Sequence, residues 1–250
     1  MNVLKNEKIH KDVTDEKTSN LYKYRSIYWG NIGLWKIIKF EIITTLLCNI
    51  PGALGLMLRK IFYRKIIGRS GKNVVFGRGI TIRHPSKITI GNNVIIEDNC
   101  VLDAKGSTND GICIGDKVIV SRNVVLSCKN GLIKIGNDTV IGINCTIHSV
   151  GKSKVIVGKD VLISAYVYLI GGGTYHFDNP DKPIREQGLD LKGGITIEDN
   201  VWLGSSVNVM DGVTIKSGSI IGACSLVAKD IDKENSIQIG VPARFIKKRF

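Results

Sequence analysis

The stretch ITIEDNVWLGSSVNVMDGVTIKSGSIIGACSLV, residues 195–227, decides the fold. In it Ile197, Leu203, Val209, Ile215, Ile221 and Val227 recur at intervals of six. The same beat runs backwards in triplets: Val157, Ile163, Leu169; Ile135, Ile141, Ile147; Ile114, Val120, Leu126; Ile90, Ile96, Leu102. All eighteen positions are Ile, Leu or Val. An ordinary β-sandwich alternates without a fixed six-residue spacing. A hexapeptide period instead predicts a parallel β-helix, in which three short strands and three turns close one coil of about 18 residues. Each beat residue then points inward onto its counterpart in the next coil, and stacking supplies the core. Four places after the beat stand small or β-branched residues, among them Val94, Cys100, Thr139, Cys145, Val207, Ser219 and Ser225, which suit tight corners. Gly91, Gly115, Gly136, Gly142, Gly158, Gly204 and Gly222 directly follow the beat, a placement that predicts turns of positive φ.

Working outward, the 250 residues predict one large domain with an appendage. Residues 1–20 read as a polar tail and residues 21–72 as helical. Residues 73–232 read as the β-helix, and 233–250 as a basic extension. The net charge of +13 is uneven: residues 1–72 hold 14 Lys and Arg against 5 Asp and Glu. Ile42–Met57 carries no charge, and Pro51-Gly52 predicts two helices there rather than one spanning helix. With Lys36, Lys39, Arg59, Lys60, Arg64 and Lys65 around it, the apolar run fits two roles. It caps the open end of the coil, or residues 34–67 lie peripherally on an anionic membrane. No recognised motif supports nucleic-acid binding by this basic segment.

The six cysteines form no C-x-x-C and no metal-ligand spacing, which fits a reducing, cytoplasmic setting. Cys100, Cys145 and Cys224 read as small buried hydrophobes. The polar first 20 residues show no cleavable signal peptide. His10, His84, His148 and His176 offer no closely spaced pair for zinc, so no metal is expected.

The beat also shows where it fails. Successive triplet starts at 90, 114, 135, 157, 197 and 215 exceed an 18-residue coil by 6, 3, 4, 22 and 0 residues. One interval carries most of the excess, the loop 170–194, and a long excursion from a rigid repeat reads as functional. Gly171-Gly172-Gly173 lets the chain leave the coil, and Pro180 and Pro183 stiffen the excursion that carries His176. Imidazole is the side chain suited to taking a hydroxyl proton near neutral pH.

The segment TYHFDNPDKPIREQG, the stretch quoted above and GVPARFIKK together resemble the hexapeptide-repeat O-acetyltransferases. They are similar to galactoside and maltose acetyltransferases and closer to those of capsule, exopolysaccharide and O-antigen biosynthesis. The resemblance covers about residues 74–248. It implies an all-β chain with a left-handed parallel β-helix, a homotrimer, and acetyl-CoA bound in the cleft between subunits. It also implies that His176 deprotonates a sugar hydroxyl, which attacks the thioester directly. Trp202, Gly204 and Ser205 match the pantetheine wall, with the Ser205 region as oxyanion donor, and Ala223 matches a tight corner beside it. Ala228 and Lys229 match a Thr-Lys pair, with the hydroxyl absent here. Arg244 matches an Arg near the nucleotide phosphates, and Lys247 replaces a second one.

On the acceptor side, Tyr166 stands where simple sugar acetyltransferases carry Asn, and a Tyr can stack on a sugar ring. His148, Asp178 and Arg185 are further acceptor candidates. The implied activity is acetyl transfer to a sugar or lipid-linked glycan of a surface polysaccharide. N-acetylation of an amino-sugar nucleotide or a xenobiotic, and a non-catalytic scaffold, stay open at this point.

Overall fold

The computed structural model describes residues 19–30, 32–106 and 109–250. Most of the expected polar tail, residues 1–18, lies outside them. The chain from Arg69 onward winds as a parallel β-helix whose three faces are sheets of seven, nine and seven strands. Pairing is parallel coil upon coil, for example Val140 with Leu162 and Leu162 with Trp202. The last pair differs: Arg244–Lys248 runs antiparallel to Ser236–Ile239 and ends the nine-stranded sheet. All eighteen beat residues are buried, as are the small corner residues four places on. Fully burying one such aliphatic side chain stabilises by roughly 1.5–3 kcal/mol, so the repeat itself supplies the core.

The glycines after the beat behave differently from the expectation. None of the seven has positive φ. A Cβ on Gly136 would lie 2.4 Å from the Gly158 carbonyl, and one on Gly204 2.6 Å from the Ala223 nitrogen. They are small because adjacent coils approach too closely there for a side chain. The left-handed residue comes two places later, at Asn93, Asn99, Lys117, Asn123, Asp138, Asn144, Asp160, Tyr166, Asn200, Ser206 and Cys224. Asn and Asp tolerate that conformation best. Tyr166, at φ 60°, is the bulky exception in this column.

Cys100, Cys128 and Cys145 are buried, and burial raises their thiols to about 11, 12 and 11. Cys224 is exposed, contrary to its reading as a buried hydrophobe, because it occupies the outward left-handed corner position.

Three helices cover the first coil: α1 (Asn20–Tyr28), α2 (Leu34–Leu47) and α3 (Gly52–Phe62). The break at Pro51-Gly52 falls between α2 and α3, as expected. Trp29, Ile37, Phe40, Ile43, Tyr63 and Ile67 join the same apolar cluster as Val74 and Phe76 of the coil. The buried Arg59 guanidinium donates to the carbonyls of Leu47, Ile50 and Phe76 at 2.8–3.0 Å. One cation thereby ties the end of α2 and the start of the coil to α3, with its charge met by carbonyl dipoles. The His84 backbone donates to the Tyr28 carbonyl, and its Nε2 lies 3.2 Å from the Ser26 carbonyl. Burial holds the His84 imidazole below the usual histidine value.

Candidate active site

The long loop leaves the coil after the strand Tyr168–Gly171 and returns at the strand Gly194–Ile197. Gly172 and Gly173, at φ 87° and 100°, turn the chain outward. The loop then doubles back as a two-stranded arm. Tyr175 bridges Leu189, the His176 N–H donates to the Gly188 carbonyl at 3.1 Å, and Asp190 donates to Thr174 at 2.8 Å. Near the tip, the Gln187 amide donates to the carbonyls of Asn179 and Lys182, both at 2.8 Å. His176 is exposed and lines an open cavity with Asp178, Lys182 and Glu186. Among the described residues its ring has no hydrogen-bond partner. Arg185 does not line this cavity itself but pairs with Glu186, which does. Tyr175, Phe177 and Ile184 of the arm are exposed, so this apolar surface has no cover among the described residues.

The arm is anchored by a residue the sequence reading passed over. The buried Asp211 carboxylate accepts from the backbone of Lys192 and of Gly194 and from the Ser153 hydroxyl, each at 2.8 Å. Gly194 has φ 109°, and a Cβ there would lie 1.9 Å from the Lys154 carbonyl, so the return admits only glycine. Its place in the turn Met210-Asp211-Gly212 resembles any corner; only the fold shows what the carboxylate holds. Asp211→Ala leaves the buried Gly194 N–H and Ser153 hydroxyl, and the part-buried Lys192 N–H, without their acceptor and should destabilise the protein by roughly 2–4 kcal/mol. Thermal denaturation reads that loss. Hydrogen exchange should show it concentrated at residues 190–194, and uniform protection across that segment would refute the anchor.

The second group of candidates lies along the nine-stranded sheet and its corner. Trp202 is about half exposed, pairs with Leu162 and Ile220, and donates from Nε1 to the Ser164 hydroxyl at 3.1 Å. Gly204, Ser205 and Ala223 follow at the adjoining corner, and the Tyr166 corner lies one coil before, where Ser206 N–H donates to Ala165. Adjacent coils are about 4.8 Å apart, so Tyr166 and Ser205 are near neighbours.

At this corner the backbone offers an open donor. At several corners elsewhere in the coil the N–H two places after the beat is taken by a side chain of the following coil. Asn92 donates to Asp116, Asp116 to Asn137 and Lys159 to Asp199, at 2.6–2.9 Å. The residue equivalent to those acceptors above Ser205 is Ala223, which has nothing to accept with. Among the described residues the Ser205 N–H has no acceptor, and Ser205 is exposed.

Ala228, Lys229 and Arg244 line a second cavity with Lys233, whose ammonium lies 4.3 Å from the Phe245 ring centre. Asp230 and Asp232 share this cavity. Lys247 pairs with Ile237 on the terminal strand. Three strand spacings, about 14 Å, separate the Trp202 strand from the Arg244 strand along one sheet. The candidates therefore form an elongated strip from Trp202 to the basic end.

His148 sits half-buried on a different face, paired with Ser127 and with Ile170 at the root of the arm. Burial, then Lys129, lowers its imidazole below the usual value, while Asp103 opposes the shift. The structure thus brings Tyr166, Trp202, Ser205 and Ala223 to one corner. His176 and Asp178 share the arm cavity, and Lys229 and Arg244 share the other. Among the described residues, no group of three His, Cys, Asp or Glu could hold a metal ion.

Two sequence families match the coils described above. The bacterial transferase hexapeptide family (six repeats) matches residues 194–229. The hexapeptide repeat of succinyl-transferase matches residues 93–128 and 132–170. The chain thus carries hexapeptide repeats of the transferase type over residues 93–128, 132–170 and 194–229.

Its similarity to particular proteins is partial. Galactoside O-acetyltransferase of Escherichia coli is 39% identical over 135 residues, which span 54% of this chain and 62% of the relative. "Putative lipopolysaccharide biosynthesis O-acetyl transferase WbbJ" of the same species is 33% identical over 114 residues, spanning 43% of this chain and 57% of the relative. The matched part of these relatives is thus under two thirds of their length. In fold, the chain is similar to AntD, an N-acyltransferase from Bacillus cereus solved with dTDP and 3-hydroxybutyryl-CoA. That likeness has a TM-score of 0.52 at 24% identity and covers 74% of this chain and 86% of AntD.

Proposed function

We propose that this hexapeptide-repeat chain is an acetyl-CoA-dependent O-acetyltransferase acting on a sugar hydroxyl of a surface-polysaccharide precursor. The observation that carries this reading is the open Ser205 N–H at an exposed corner beside the half-exposed Trp202 and the small Ala223. An unoccupied backbone donor beside an aromatic wall suits a carbonyl that becomes an oxyanion. Acetyl-CoA would lie along the strip, its pantetheine beside Trp202 and its phosphates toward Lys229, Lys233, Arg244 and Lys247. The similarity to galactoside O-acetyltransferase and WbbJ supports a sugar hydroxyl as acceptor.

In this mechanism the His176 imidazole takes the proton of the sugar hydroxyl as its oxygen attacks the thioester carbonyl. The Ser205 N–H stabilises the tetrahedral oxyanion. Collapse expels the thiolate of coenzyme A, which takes the proton from His176. Holding both substrates in one cleft supplies the rest of the acceleration. The uncovered Tyr175, Phe177 and Ile184 favour a homotrimer in which the arm packs on a neighbouring copy and carries His176 to that copy's strip. Tyr166, beside the same corner, is positioned to stack on the acceptor ring.

The test is labelled acetyl transfer from acetyl-CoA to a panel of capsule, O-antigen and simple-sugar oligosaccharides, with product linkage read by mass spectrometry. Base-labile O-acetyl products on polysaccharide fragments are expected. Label found solely on amino groups, or no transfer with millimolar donor, would sink the proposal.

A further inference from the structure

We propose that the outward faces of α2 and α3 seat this protein on an anionic lipid surface. The inward stripe of α2, Ile37, Phe40 and Ile43, is used up in covering the first coil. On a surface helix the opposite side is normally polar. Here, at 100° per residue, Leu34, Trp35, Ile38, Ile42 and Leu46 share the opposite arc, all exposed, and Trp35 is 83% exposed. In α3, Leu54, Met57 and Ile61 likewise face solvent.

The charge around this surface chooses the occupant. Residues 19–72 contain ten Lys and Arg against Glu41 alone. Glu41 is engaged by the Tyr24 hydroxyl, and among the cations only Arg59 is buried. No ion pair among the described residues involves a cation of this segment. Lys39 flanks the α2 face, and Lys60, Arg64 and Lys65 follow on α3 and just after it, all exposed. A second copy brought face to face would oppose like charges. A nucleic acid would meet the charge and leave the apolar side chains wet. An anionic leaflet satisfies both, taking the apolar side chains below the headgroups and the cations among them. The mode is lying on the surface: no described helix is long and apolar enough to cross a membrane. The 14 residues of α2 span about 21 Å, short of a hydrocarbon core.

Flotation of the full chain with vesicles tests this. Phosphatidylcholine vesicles containing about one-third phosphatidylglycerol should carry the protein at least about tenfold more strongly than phosphatidylcholine alone. The triple variant Trp35→Ser, Ile42→Ser, Leu46→Ser should lose about tenfold or more. Lys39→Gln and Lys60→Gln should each weaken binding by about fivefold. Both lysines are exposed, so these variants decide the matter even where the triple variant misfolds. Three results would overturn the proposal. The wild type could stay soluble with anionic vesicles. The folded triple variant or both Lys variants could float like the wild type. The triple variant could sediment at lower mass, which would make the face an interface between copies. This inference is independent of acetyl transfer: flotation can fail with acetylation intact, and the converse would remove only the proposed reaction.

Discussion

His176→Ala should lower the proposed acetyl transfer by about 10²–10⁴-fold while the fold and donor affinity persist. Under the proposed mechanism the loss follows from removing the group that takes the hydroxyl proton. The fold persists because the side chain is exposed and unbonded, and its local structural contact is the backbone bond to Gly188, which Ala keeps. Initial rates at saturating acetyl-CoA, with circular dichroism and sedimentation on the same samples, check both halves. An effect confined to KM would assign His176 to binding. Turnover within about threefold of wild type would leave the arm without a catalytic group.

Ala223→Asp should reduce the rate constant by about 10²–10³-fold, the scale of losing one oxyanion donor. The substitution installs at this corner what Asp116 and Asp199 supply at others, a carboxylate that takes the preceding coil's N–H. Space exists for it: Asp116 and Asp199 each lie against a glycine of the preceding coil, Gly91 and Gly158, and Gly204 occupies that place here. The coil should therefore remain folded, separating the effect from destabilisation. Ala223→Asn adds a similar acceptor without the full charge and should also slow transfer. Equal, near-normal rates for both variants would show that Ser205 N–H takes no part. A large effect of Asp with none of Asn would indicate charge repulsion of the donor instead.

Much of this protein was legible in the chain because a coil repeats one local rule. The beat residues, corner residues and single long interruption are periodic facts, and burial of all eighteen beat positions follows from a repeat that closes on itself. Gly204 shows the limit of that legibility. Its position was readable, but the reason was misjudged, because crowding by Ala223 belongs to the neighbouring coil rather than to local φ. The exposure of Cys224 was missed for a related reason: the repeat phase places it at an outward corner. Asp211 was illegible, since its partners Ser153, Lys192 and Gly194 lie up to 58 residues away in sequence.

The sequence by itself determined the parallel β-helix, its helical N-terminal segment and the excursion that carries His176. Each rests on spacing or composition along one strand of text. The tertiary structure alone decided which donors are open, what anchors the arm, and that α2 is apolar on both sides of its axis. Those properties arise between coils and between elements, where a side chain of one turn either fills or leaves empty the backbone group of another.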